Sequence, residues 1–119
     1  MIKKLFKNLM NSLNGFKIVS KENSFILELV LGVFLIPYIF LSNIDLNYKI
    51  ILSVLYFLLL AFEIMNTAVE KLSDRVTTDL DPEIKKIKDL SSAAVFVVLL
   101  ILIITFLASF WVEIVAFKI

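Results

Sequence analysis

Glu63, Asn66, Glu70 and Asp74 stand at i, i+3, i+7 and i+11. At about 100° per residue this spacing lines them along one face of a helix. Such a stripe offers carboxylate and amide oxygens and nothing softer, because the chain has no His and no Cys. Oxygen-only donors suit a hard cation, Mg²⁺ or Mn²⁺. Mg²⁺ is typically held by one or two carboxylates together with substrate phosphates. The stripe therefore points to a metal-bound nucleotide.

Other groups stand near it in sequence. Glu22 precedes the first long apolar run and Glu28 lies inside it, both at the depth expected for Glu63 and Glu70. They either complete the site or are an interfacial charge and a carboxyl held between helices. The stretch Thr77 to Asp89 mixes acids with Lys, and Asp81-Pro82 reads as a helix N-terminus. It is either a solvated hairpin loop or a nucleotide-facing one, with Lys88 neutralising a phosphate as a point charge and acidic loop groups meeting an adenosine.

These residues need a scaffold, and composition says which kind. Of 119 residues 61% are apolar, above the roughly 45–50% usual for soluble domains. The mean hydropathy is +0.98, and the charges are segregated from long apolar runs. Residues 25–44 carry Glu28 as their only charge, residues 50–69 carry only Glu63, and residues 90–112 are uncharged. Each run is long enough to cross a hydrocarbon core of about 30 Å. Residues 2–21 place Leu5, Phe6, Leu9, Leu13 and Phe16 at helical spacing with Lys3, Lys4, Lys7 and Lys17 on the other face. This predicts an amphipathic helix on the membrane surface, serving as an anchor or as a platform for a lipid substrate. The expected fold is an all-α membrane protein, a surface helix plus three transmembrane helices, forming one domain over 1–119.

Ten of the twelve basic residues fall before the first run or between the second and third; only Lys49 and Lys118 fall elsewhere. The excess of Lys and Arg marks the cytoplasmic side. The N-terminus is expected inside, the turn Ser42 to Tyr48 outside, the C-terminus outside, and Trp111 in the outer interface. No cleavable signal is evident before residue 25. Two glycines leave no GxxxxGK[ST] or GxGxxG loop. Without Cys or His there is no thiolate nucleophile, Ser-His-Asp triad or imidazole-rich zinc site. The net charge of +1 gives no reason to expect a nucleic-acid partner.

Glu63-Ile64-Met65-Asn66-Thr67-Ala68-Val69-Glu70 followed by Asp74, and Lys88-Asp89-Leu90-Ser91-Ser92-Ala93-Ala94-Val95, resemble two signatures of the small prokaryotic diacylglycerol kinases, relatives of undecaprenol kinase. Glu22-Asn23-Ser24-Phe25 is similar to the family's Glu-x-x-Phe stretch before its first span. The resemblance implies a homotrimer in the cytoplasmic (inner) membrane of a bacterium, with composite sites that transfer the γ-phosphoryl group of ATP to a lipid hydroxyl. It implies Glu63 as general base, and Glu22 and Glu70 as holders of Mg²⁺ (or Mn²⁺). Asn66, Asp74, Lys88, Asp89, Asp79, Asp81, Lys4 and Asn11 then stand at the ATP, with Glu22 and Glu70. Phe25, Glu28, Ser92 and Trp111, with Glu63, are placed at the lipid. The carboxylate at Glu28 favours diacylglycerol, since undecaprenol-type members often have His there.

The chain departs from the pattern in three places. Asn11 stands where the family has an aromatic nucleotide contact, Ile26 where an Arg is common, and the stretch from Gly15 to Glu22 is one residue shorter. That deletion would rotate the surface helix by about 100° unless a kink absorbs it. A reading from a different class is a non-enzymatic membrane oligomer whose acids bind cations or line an ion path.

Overall fold

Apolar runs bounded by turn residues fold into helices whose ends are set by local chemistry. The computed structural model describes residues 1–118, which form α1 (Ile2–Val19), α2 (Asn23–Leu41), α3 (Leu46–Val76) and α4 (Pro82–Lys118). Ile119, the last residue of the expected domain, lies outside the described residues, and Lys118 is described in its backbone only. The last three helices are long and apolar enough to cross a membrane.

The helices do not end where the apolar runs do. α2 stops at Leu41, and Ser42 turns to extended backbone, so Ile44 leaves the helix and packs into the core from the turn. α3 begins at Leu46, before the apolar run, and continues past it to Val76. α4 starts eight residues before Leu90. The Asp81 carboxylate accepts from the N–H groups of Glu83 at 2.8 Å and Ile84 at 3.3 Å, and Pro82 supplies a preset first helical position. Hydropathy marks the lipid-compatible part of a helix; Glu, Lys and Arg extend the same helix into water at little cost.

α3 packs mainly along α4 and less extensively on α2. The apolar core comprises Leu35, Ile39, Ile44, Leu52, Tyr56, Leu59 and Leu102. Toward the end of the core near the α2–α3 turn, Tyr38 Oη lies 3.0 Å from Ser109 Oγ and its ring meets Phe106 edge-on, tying α2 to α4. Large apolar side chains such as Phe34, Phe57 and Phe96 point out of the bundle, a surface suited to lipid and not to water. α1 buries only Val19 and leaves Leu5, Phe6, Leu9, Leu13 and Phe16 exposed.

The close approach of α2 and α3 depends on Gly32. A Cβ there would lie 2.0 Å from Tyr56 Oη and 2.5 Å from Cζ, and Tyr56 is buried and cannot swing away. Tyr56 Oη in turn donates to the Glu28 carbonyl at 2.9 Å, fixing the register of the two helices. Gly32→Ala is therefore expected to destabilise the protein by about 2 kcal/mol, as overpacking does, and to lower Tm in detergent. An unchanged Tm would show that the two helices do not need this contact.

Candidate active site

The buried side of α3 runs Leu52, Tyr56, Leu59, Glu63 and Asn66, a spacing of alternating four and three residues that keeps one face turned to its neighbours. Along it the residue types change from apolar to polar. Glu63 is only 3% exposed and Asn66 7%. One turn further Glu70 is exposed, as is Asp74, while Ser73 beside them is buried. Glu63 and Asp74 are roughly 16 Å apart along the helix at 1.5 Å per residue. The row thus leads from the buried core to exposed positions near the connection between α3 and α4.

Each carboxylate has an identifiable neighbour. Ser24 Oγ donates to Glu63 Oε1 at 2.6 Å, and the Glu28 carboxyl is an immediate neighbour of Glu63. Asn66 Nδ2 donates to Glu70 Oε1 at 3.2 Å, while Asn66 Oδ1 is buried without a partner. Glu22 is the N-cap of α2, yet its carboxylate caps nothing and lies 3.4 Å from Lys71 Nζ. Lys88 Nζ reaches back from α4 to Asp74 at 2.6 Å, joining the polar ends of α3 and α4.

Beyond that pair, the five-residue connection 77–81 and the first turns of α4 enclose an open cleft of about 470 Å³ lined by Thr77, Asp79, Asp81, Lys85 and Lys88 among others. Its volume falls within the range of small-molecule sites. The loop is shaped by its own residues: Thr77 Oγ1 accepts from the Asp79 N–H at 3.1 Å, and Asp81 caps α4. Asp89 pairs with Lys85 at 2.6 Å on the same helix.

Not every expected residue joins this arrangement. Lys4 and Asn11 are exposed on α1, with no side-chain bond to the rest of the chain among those described. Phe25 is buried at the start of α2, and Ser92 is exposed toward the N-terminal end of α4. Trp111 is exposed at the other end of α4, roughly 28 Å from Ser92 along the axis. It is not among the residues gathered around Glu63. The break between α1 and α2 also bears on the one-residue deletion. The Lys21 and Glu22 N–H groups bond back to Ile18 and Val19 carbonyls at 3.4 and 2.9 Å, forming a turn at Ser20–Glu22. The two helices are separate, so a turn exists to absorb the rotation.

Three participants were not singled out from sequence. Ser24 shares a face with Glu28 four residues on, Tyr56 lies seven residues before Glu63, and Lys71 adjoins Glu70. Helical spacing could have flagged the first two; the Lys71 to Glu22 contact depends on how α2 meets α3.

Among the described residues no three carboxylates converge closely enough to hold a metal by themselves. The donors present nevertheless fit a hard divalent cation: an exposed carboxylate at Glu70, an orphaned buried amide oxygen at Asn66, and Glu22 on the helix opposite. One or two protein oxygens completed by phosphate oxygens is the usual Mg²⁺ arrangement.

These features define a helical membrane protein whose middle spanning helix carries acids from its core into the polar region. Residues 10–110 match the family described as Prokaryotic diacylglycerol kinase. The chain is 35% identical over 95 residues to a protein named Diacylglycerol kinase from Pseudomonas aeruginosa, covering 79% of this chain and 77% of that one. It is 34% identical over 94 residues to another of that name from Sinorhizobium sp, covering 78% and 68%. The chain belongs to the prokaryotic diacylglycerol kinase family and is a lipid kinase of a bacterial membrane.

Proposed function

We propose that the protein transfers the γ-phosphoryl group of ATP to the free hydroxyl of diacylglycerol, giving phosphatidic acid, at the cytoplasmic face of the bacterial inner membrane. The observation that carries this reading is the placement of Glu63: a carboxylate 3% exposed at the inner end of an apolar core, on the same helix as Asn66 and Glu70. A lipid hydroxyl comes from the apolar side and a nucleotide from the polar side, and this is where they meet.

In the transfer, the lipid oxygen attacks the γ-phosphorus while the bond to the ADP bridging oxygen breaks, and the hydroxyl proton passes to Glu63. Phosphoryl transfer asks for positioning and charge neutralisation more than covalent catalysis. Glu70, Asn66 and Glu22 would hold Mg²⁺, whose charge offsets that of the β- and γ-phosphates. Lys88 would release Asp74 to meet a phosphate oxygen, and the cleft at Asp79 and Asp81 would take the adenosine. Asp89 stands beside this end on α4. Glu28, next to Glu63, would face the lipid headgroup with Ser92 and Phe25.

The exposed apolar face of α1 supports its lying in the membrane surface, with Lys4 and Asn11 turned toward the nucleotide. The distribution of Lys and Arg supports an internal N-terminus and an external C-terminus. A homotrimer would bring groups from neighbouring subunits to complete each site. This accords with the incomplete clustering of acids within one chain.

The substrate assignment is tested by supplying labelled ATP and Mg²⁺ with diacylglycerol or undecaprenol in mixed micelles. Label is expected in diacylglycerol at a kcat/KM at least about tenfold higher, a difference of about 1.4 kcal/mol; the reverse preference would assign the undecaprenol reaction. Lys88→Met, which removes a point charge without shortening the side chain much, is expected to raise KM for ATP about tenfold and leave KM for the lipid unchanged. An unaltered KM for ATP would remove Lys88 from the nucleotide site.

A further inference from the structure

Three contacts between residues 22–28 and α3 set how the two helices meet: Glu22 with Lys71 at 3.4 Å, Tyr56 Oη with the Glu28 carbonyl at 2.9 Å, and Ser24 Oγ with Glu63 Oε1 at 2.6 Å. The first is an exposed ion pair and the second is a backbone anchor. The third ends on the carboxylate proposed as the base, which the Glu28 side chain also adjoins. Phe25, buried beside it, pins the start of α2, so the Ser24 hydroxyl is held between two fixed points.

A carboxylate buried in an apolar span needs a partner, and an unpaired one is costly. Among the described residues Ser24 is the hydroxyl donor to the Glu63 carboxylate. Its bond is short, as charge-assisted bonds to carboxylates are. By engaging Oε1 it fixes the rotation of the carboxylate and leaves Oε2 uncommitted by Ser24. The oxygen that takes the substrate proton is then presented in one orientation. Glu28, on the same face of α2, is the other side-chain neighbour of the Glu63 carboxylate, so Ser24 is the hydroxyl and Glu28 the carboxyl that flank it from α2.

We infer that Ser24 is a positioning residue for the phosphoryl-transfer step, holding the Glu63 carboxylate aimed at the lipid hydroxyl. This rests on the reading of Glu63 as base. Ser24 acts through Glu63, so its loss should slow the reaction and not weaken either substrate, since misplacing a catalytic group by about 1 Å is already worth up to about 100-fold.

The experiment measures kcat and both KM values, per folded protein, for Ser24→Ala, Ser24→Cys and Ser24→Thr, alone and with Glu63→Gln. Ser24→Ala is expected to lower kcat about tenfold or more with both KM values within about twofold. Ser24→Thr, which keeps the hydroxyl, should stay within about threefold of wild type, and Ser24→Cys, a weaker donor, should fall between. In the Glu63→Gln background Ser24→Ala should cost nothing further, because residues acting as one unit are non-additive. Wild-type kcat in Ser24→Ala or Ser24→Cys would overturn the inference, and so would the same fold loss in the Glu63→Gln background. If Ala does not accumulate as folded protein, the Cys variant decides. Wild-type transfer in Glu63→Gln alone would instead overturn the base assignment itself.

Discussion

Glu63→Gln is expected to reduce kcat by roughly 10²–10⁴-fold, the usual contribution of a positioned general base, with KM for ATP and for the lipid little changed. Gln has the same length and nearly the same volume, and its amide oxygen can still accept from Ser24 Oγ, which lies 2.6 Å from Glu63 Oε1. What it cannot do is take a proton. The fold should therefore survive, with Tm in detergent unchanged, while the chemical step fails. Initial rates at saturating ATP and lipid check this. A rate loss accompanied by a fallen Tm would reflect damage to the buried end of the core, and a retained rate would place the base elsewhere.

The second large effect concerns the cation. Chelating Mg²⁺ is expected to abolish transfer, and Glu70→Gln to raise the Mg²⁺ concentration giving half-maximal rate by at least about tenfold, in line with losses seen when groups around metal sites are changed. Glu70 is exposed, and among the described residues its side chain bonds through one oxygen to Asn66 Nδ2, which leaves the second oxygen to bind. Its substitution costs little folding energy, because its side chain is exposed. Transfer that persists in chelator, or an unshifted Mg²⁺ dependence in Glu70→Gln, would remove the metal role from this face of α3.

Much of this arrangement is visible before any coordinates. The four polar residues Glu63, Asn66, Glu70 and Asp74 announce a common face because helical periodicity is a property of sequence spacing alone. The start of α4 is legible from Asp81-Pro82, since a capping side chain and a preset φ act within four residues. The helix ends are less so. α3 and α4 extend beyond the apolar runs because hydropathy responds to transfer into lipid, and helix formation in water does not require it.

Contacts between elements are hardest to foresee. Ser24 with Glu63, Tyr56 with the Glu28 carbonyl, and Lys71 with Glu22 all depend on the register of α2 against α3. The close approach that permits them needs the missing side chain at Gly32, a feature of packing and not of periodicity. The near-absence of buried residues on α1 has the same origin. An amphipathic pattern states that one face needs an apolar partner but does not say which, and among the described residues that face of α1 stays exposed.

One experiment bears most directly on the central claim that the acidic face of α3 is where ATP and lipid react: Mg·ATP binding and labelled γ-phosphate transfer to diacylglycerol, measured together on wild type, Glu63→Gln and Glu70→Gln. The account predicts that Glu63→Gln binds Mg·ATP as wild type does yet labels almost no lipid, and that Glu70→Gln is weakened already in binding. Wild-type labelling by Glu63→Gln, or loss of its nucleotide binding with Glu70→Gln unaffected, would contradict it.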